Sequence, residues 1–192
     1  GFIFLAQYLS PYIVTSTVTI ATNTTVTVQP GVIIKFKPAT SLEVNGTLDV
    51  QGTSSSLTYF TSYKDDIGGD TNQSTSTASS SDWGSILINS GASTTLRGVV
   101  VRYGGSNGGS SGAVVYNDGG TLDVDFADVS YGGTFGFNLV AGTTTIHYSQ
   151  VHNNKRGVGI YDGNVSVTVG SSSIFNNSVY GAVRSVSGTP AH

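Results

Sequence analysis

The densest set of potentially reactive side chains lies in "YKDDIGGDTNQSTSTASSSDW", residues 63–83. Asp65, Asp66, Asp70 and Asn72 fall close together on a glycine-containing turn, and Asp82 stands at the far end. Hard oxygen donors on such a turn are what Ca²⁺ takes as ligands, so these five residues are the expected calcium site. The competing expectation is a solvated loop whose carboxylates cap its own turns. A second set emerges when similar segments are superposed: Arg97 falls on Asp125, and Asp125 on His147. Such an outward column could serve a polysaccharide lyase or hydrolase. It fits better as a ladder of exposed ion pairs, each worth about 0–1 kcal/mol. Asp123 shares that face, with Asp128 beyond, while Lys155 and Arg156 sit at a corner. Glu43 is the only glutamate, and no pair of carboxylates is marked for glycoside hydrolysis. The expectation is therefore no enzyme, with lyase-like activity as the alternative. The single tryptophan, Trp83, follows the acidic loop and is expected to seal the fold beneath it rather than to stack on sugar.

The elements that must carry these residues are strands. Period-two alternation of β-branched residues recurs in "IVTSTVTIATNTTVTV" (13–28), "SLEVNGTLDV" (41–50), "TLDVDFADV" (121–129) and "NVSVTV" (164–169), with Gly or Asn ending the runs. The strands also repeat. "GSILINSGASTTLRGVVVRYGG" (84–105) superposes on "GAVVYNDGGTLDVDFADVSYGG" (112–133), then "GFNLVAGTTTIHYSQVHNN" (136–154) and "GVGIYDGNVSVTVGSSSIFNN" (157–177). A repeat of about 22 residues with three short strands predicts a single-stranded right-handed parallel β-helix, each unit one coil that buries its apolar side chains only by stacking on its neighbours. Val101, Val129, Val151 and Ile174 are then expected in one interior row. The Tyr-Gly-Gly and Asn-Asn stops are expected at a corner where Asn or Gly takes positive φ. Asn154 and Asn177 should form a hydrogen-bonded ladder there, and Tyr103 and Tyr131 a small aromatic stack. His152, beside a stop, reads as a turn residue. The rival architecture is an antiparallel sandwich in which "NDGG" (117–120) and "YDGN" (161–164) are hairpin turns.

Composition narrows the function classes. The 192 residues fit one domain. Only 10% are charged, well below the roughly 25% of an average soluble domain, and Gly (26), Ser (27) and Thr (24) fill the difference. A net charge of −3 supplies no basic field for nucleic acid or an anionic membrane. Cysteine is absent, which removes disulfides and thiolate metal sites. No apolar run reaches the length of a membrane span. Without a methionine even at position 1, the chain is expected to be a processed product or a fragment.

Two divisions are expected: an apolar segment at 1–10 and a β-helix over 11–192 interrupted by the polar insertion at 63–82. The open ends of a β-helix invite pairing with another chain. Phe2, Ile3, Phe4 and Leu5 are accordingly expected either to contact the next copy, head to tail, or to plug their own first coil. The partner would be a second copy or the rest of a larger surface protein, with glycans as a further ligand class. Five N-x-S/T sequons, at Asn23, Asn45, Asn72, Asn164 and Asn176, are candidate glycosylation sites. His192 is terminal and is expected to play no part.

The stretch "TTVTVQPGVIIKFKPATSLEVNGTLDVQGTSSSLTYFTSYKDDIGGDTN", followed by "DWGSILI" and "RYGG", resembles a group of secreted bacterial and archaeal right-handed parallel β-helix proteins. These carry a GTL-x-V-x-GT coil, an FTS-x-x-DD-x-GGDTN loop and a W-G-x-I strand. The likeness covers 24–105 closely and the later coils by pattern. It implies an extracellular or cell-surface adhesin, stalk or filament protein. In this chain "NQST" replaces the Gly-flanked Asp that usually continues the loop, which leaves the implied calcium set one ligand short.

Overall fold

The computed structural model describes residues 1–106, 112–161 and 164–185. The alternating segments are strands, and every strand pairing among the described residues is parallel. The protein is all-β, built on one large curled parallel sheet. The segment 13–28, which reads as one alternating run, is divided among three short strands by turns. The hairpin reading of 117–120 is overturned, because Asn117 and Asp118 lie within a strand with parallel partners on both sides. The 161–164 turn lies partly outside the described residues, and its flanking strands also pair in parallel.

The strands fall into three rows. In the first, β1 (Phe2–Leu5), β4 (Thr25–Val28), β7 (Thr47–Gln51) and the first half of β10 (Ser93–Arg102) lie side by side. The middle of β11 (Ala113–Ser130), the end of β12 (Phe135–His147) and β15 (Val165–Gly170) continue that row. A second row runs from β2 (Tyr12–Val14) through β5 (Ile33–Phe36) and β8 (Thr58–Ser62) to the end of β10. It continues through the end of β11, β13 (Gln150–His152) and β16 (Ser173–Phe175). The third joins β3 (Val18–Ile20), β6 (Leu42–Val44), β9 (Ile86–Asn89), the starts of β11 and β12, β14 (Arg156–Tyr161) and β17 (Tyr180–Ser185). One strand from each row makes a level, and a long strand such as β11 bends from one row into the next.

Because a strand's side chains alternate, matched register stacks like on like. Tyr12, Ile34, Phe60, Val101, Val129, Val151 and Ile174 form one interior row. Leu5, Val28, Val50, Leu96, Val124, Ile146 and Val169 form another. Between the two lie corners at Gly98, Phe126, Tyr148 and Ser171, with φ of 53, 53, 49 and 50°. Beyond the second row come Tyr103, Tyr131, Asn153 and Asn176, with φ of 67, 54, 55 and 52°. Asn153 and Asn176 take the left-handed backbone expected at the stops, as does Gly105 with φ of 94°, and in the Tyr-Gly-Gly stops the tyrosine adopts it too. The glycine is needed for space. A Cβ on Gly132 would lie 2.6 Å from the Phe135 carbonyl oxygen and 3.0 Å from Asn154 Oδ1.

Gly132, Asn154 and Asn177 therefore occupy one inward column. Gly132 N–H donates to Asn154 Oδ1 at 2.8 Å, and Asn154 N–H donates to Asn177 Oδ1 at 3.1 Å. Asn154 Nδ2 donates to the Val129 carbonyl and to Asn177 Oδ1, both at 3.2 Å, and Asn177 Nδ2 to the Val151 carbonyl at 3.0 Å. The expected ladder is present. It saturates backbone groups that the bend takes out of the sheet, which is the condition for burying them.

Candidate functional site

Lys35 occupies the outward position between Ile34 and Phe36 on β5, yet its side chain is fully buried. The insertion at 63–82 folds over it. Lys35 Nζ donates to the carbonyl oxygens of Asp65 and Gly69, each at 2.6 Å, and to Thr71 Oγ1 at 3.1 Å. Desolvation lowers its pKa, and the nearby charges of Asp65, Asp66 and Asp70 oppose that shift. The loop thus encloses an ammonium through its carbonyls.

Its carboxylates are engaged elsewhere. Asp65 Oδ2 and Oδ1 accept from Arg102 Nε at 2.8 Å and Nη2 at 3.1 Å, and Oδ2 also accepts from the Thr61 hydroxyl. Burial pushes the Asp65 carboxyl upward, but the Arg102 and Thr61 hydrogen bonds outweigh it and hold the group below the ordinary value. Arg102 in turn lies over the rings of Tyr59 and Tyr103. Asp82 is paired with Lys64 Nζ at 2.8 Å and accepts from Ser62 Oγ and the Ser79 N–H. Burial raises its carboxyl too, and these bonds again bring the net shift below the ordinary value. Asp70 caps a turn by accepting from the Asn72 and Gln73 N–H groups, while the Asn72 carboxamide bonds Ser74 and Ser76. Asp66 is exposed. The five residues expected to hold calcium are not brought to a common point, and among the described residues no three His, Asp or Glu side chains are grouped for a metal. With Asp65 and Asp82 each closed by a cation, the donor set does not fit a hard dication.

Trp83 is fully buried beneath the loop, stacked on Phe36 at 4.2 Å, with Nε1 donating to the Arg102 carbonyl at 2.8 Å. It seals the core, as expected. Arg97, Asp125 and His147 are register neighbours, and the Arg97–Asp125 pair is 3.6 Å apart with Arg97 largely exposed. His147 has no carboxylate partner among the described residues; it meets the Tyr148 ring edge-on. His152 is a strand residue rather than a turn residue. Its Nε2 lies 2.9 Å from Asp128 Oδ2, and its ring stacks on Phe175 at 4.9 Å. Tyr103 and Tyr131 stack at 5.3 Å. Asn23, Asn164 and Asn176 are exposed; Asn72 and Asn45 are half-buried, and Asn45 Oδ1 accepts from Asn89 Nδ2 at 2.7 Å. His192 lies outside the described residues.

The remaining distinctive surfaces are the two ends of the strand rows. At the first, Phe2–Leu5 is a strand of the sheet rather than a separate segment. Ile3, Leu5, Tyr12, Val14, Val18 and Ile20 rim an apolar cavity of about 310 Å³. Phe2 and Phe4 point outward, 80% and 65% exposed. Near the other end Val169, Phe175, Val179 and Tyr180 are exposed.

The chain matches no family model, no curated protein and no solved structure. The resemblance drawn from residues 24–105 holds at the level of an all-β protein with a large curled parallel sheet.

Proposed function

We propose that the curled sheet is a right-handed parallel β-helix of about 22-residue coils, and that the protein is an exported structural element whose copies extend one another head to tail, as in a filament, stalk or adhesin. The carrying observation is the apolar mouth formed by the edges of β1, β2 and β3. These edges, like those of β15, β16 and β17 at the other end, have strand partners on one side only among the described residues. Parallel strand addition of the last level of one copy to the first level of the next would complete all three rows at once. It would also cover Ile3 and Val18, which are 50% and 44% exposed. Such a contact is heterologous and does not close, so it propagates.

Electron microscopy of the purified protein tests this. The seven levels among the described residues, at the inter-strand spacing, give an axial repeat of about 34 Å. Val18→Lys places an ammonium in the apolar mouth and should leave dispersed particles with unchanged β-sheet circular dichroism. Arg184 pairs in register with the interior residue Ile160 at the last level, where a charge discourages edge pairing. Arg184→Leu should lengthen the strings. Wild-type protein that stays monomeric at high concentration, or Val18→Lys that assembles like wild type, refutes head-to-tail growth.

A further inference from the structure

The corner residues Gly98, Phe126, Tyr148 and Ser171 follow one another level by level, at nearly equal φ. Phe126 and Tyr148 stack at 5.1 Å with their planes 12° apart, which covers one face of Phe126. At the level on its other side the corner residue is Gly98, which has no side chain. No side chain could be placed there without moving the backbone, because a Cβ on Gly98 would lie 2.3 Å from the Gly52 carbonyl carbon. The result is a slot of about 240 Å³ bounded by Phe126, Gly98, Gly52, Thr53, Ser54 and Arg97. Phe126 remains 54% exposed there.

Beside the slot lies a second cleft of about 370 Å³ that shares Arg97, Gly52 and Thr53 with it and adds Asp49, Gln51 and Thr95. Three planar polar groups therefore border one groove: the Asp49 carboxylate, the Gln51 carboxamide and the Arg97 guanidinium. Gln51 Nε2 donates to Asp49 Oδ2 at 2.7 Å, which fixes two of them relative to each other. Among the described residues Arg97 is held by the 3.6 Å contact to Asp125, which leaves guanidinium donors for a ligand.

We infer that this groove binds a neutral hexopyranose chain, one ring against the free face of Phe126 and the next across Arg97, Gln51 and Asp49. The C–H face of a pyranose is apolar and flat, which suits an aromatic ring with a single open side. Vicinal hydroxyls match planar groups that offer two donors or acceptors side by side. The slot falls below the ordinary ligand-pocket range of about 300–1,000 Å³ and the cleft at its low end, so each takes one ring. Charge selects against acidic sugars: Asp125 is the register neighbour of Arg97, and Asp49 and Asp123 are those of Thr95 two residues along, so three carboxylates share the face with this guanidinium. The groove lies on the side of the first row and does not depend on the end-to-end contact.

Saturation-transfer NMR on the full chain tests it with cellohexaose, laminarihexaose and mannohexaose as probes and trigalacturonate as the acidic comparison. At least one neutral hexasaccharide should bind saturably. Phe126→Asn, chosen because Asn tolerates the left-handed backbone, should weaken binding about tenfold, and Arg97→Met should weaken it in the same direction. Tyr8→Ser removes an exposed ring away from the groove and should leave binding unchanged. The proposal is overturned if no neutral hexasaccharide binds, if trigalacturonate binds as tightly, or if a correctly folded Phe126→Asn protein keeps wild-type affinity.

Discussion

Replacing Asn154 by Ala should be among the most damaging single changes to this fold, although it deletes only a small polar side chain. Asn154 is 2% exposed. Its carboxamide accepts from the Gly132 N–H and donates to the Val129 carbonyl, and both bonds are buried. Alanine leaves the buried Gly132 N–H without this acceptor and removes one donor from the Val129 carbonyl, and an unsatisfied buried group costs about 1–3 kcal/mol. Partial relaxation places the expected loss near 3 kcal/mol, a shift of about a hundredfold in the folded-to-unfolded ratio. The neighbouring asparagine provides the contrast. Asn153 has φ of 55° and acts through its backbone, so Asn153→Gly should change stability by no more than about 0.5 kcal/mol. Urea unfolding of both variants, followed by far-ultraviolet circular dichroism, measures the difference. Hydrogen exchange at the Gly132 amide localises it, since stacked repeats can lose adjacent levels before the rest. If Asn154→Ala costs under about 0.5 kcal/mol, or if Asn153→Gly costs as much as Asn154→Ala, the inward asparagine column does not carry the corner.

Two further substitutions probe the interior and the loop. Thr94 is buried between its register neighbours Leu48 and Leu122, and its hydroxyl has no partner among the described residues; Thr94→Val should raise stability by about 1 kcal/mol in urea melts, and a loss would show that the hydroxyl is satisfied. Asp65 has a depressed folded-state pKa, so its contribution is present above the unfolded value of 3.8 and is lost as pH falls through the folded one. The stability gap between wild type and Asp65→Asn should therefore be widest near neutrality and narrow progressively below about pH 4; a gap independent of pH removes the ion pair with Arg102 as its cause.

The row structure was legible because its signals are local and repeated. Period-two patterning located the strands, and the recurrence of YGG and NN fixed the register that places Val101, Val129, Val151 and Ile174 together. Residues whose surroundings come from distant chain were harder to read. Asn117, in "NDGG", looks like an exposed turn residue. It is fully buried, with Oδ1 accepting from the Gly120 N–H at 2.9 Å and Nδ2 donating to Thr144 Oγ1 at 3.0 Å. Lys35 has the phase of a solvent-facing residue, and on β5 it does point away from the core; its burial comes from an insertion that begins nearly thirty residues later. Phe126 has an open face because the corner residue at the level beside it is Gly98, a pairing set by register between distant segments. The phase of a strand tells which face a side chain takes, whereas what later covers that face is a tertiary fact.

That distinction bears on the role of the acidic insertion. In the β-helix proposed above, stacked levels would interact mainly with their nearest neighbours, and the loop adds a longer link. It leaves the level of β8, captures Lys35 from the level before, and through Asp65 grips Arg102 at the level after. Three successive levels are thereby fastened by two cations, each held by hydrogen bonds beneath a polar cover. A loop too hydrophilic to pack against the core achieves order by supplying carbonyls to one buried ammonium and a bidentate carboxylate to one guanidinium, the geometry in which charge-assisted bonds are strongest. Removing either cation would leave buried acceptors unpaired, which ties the loop's order to the stacking of the levels it spans.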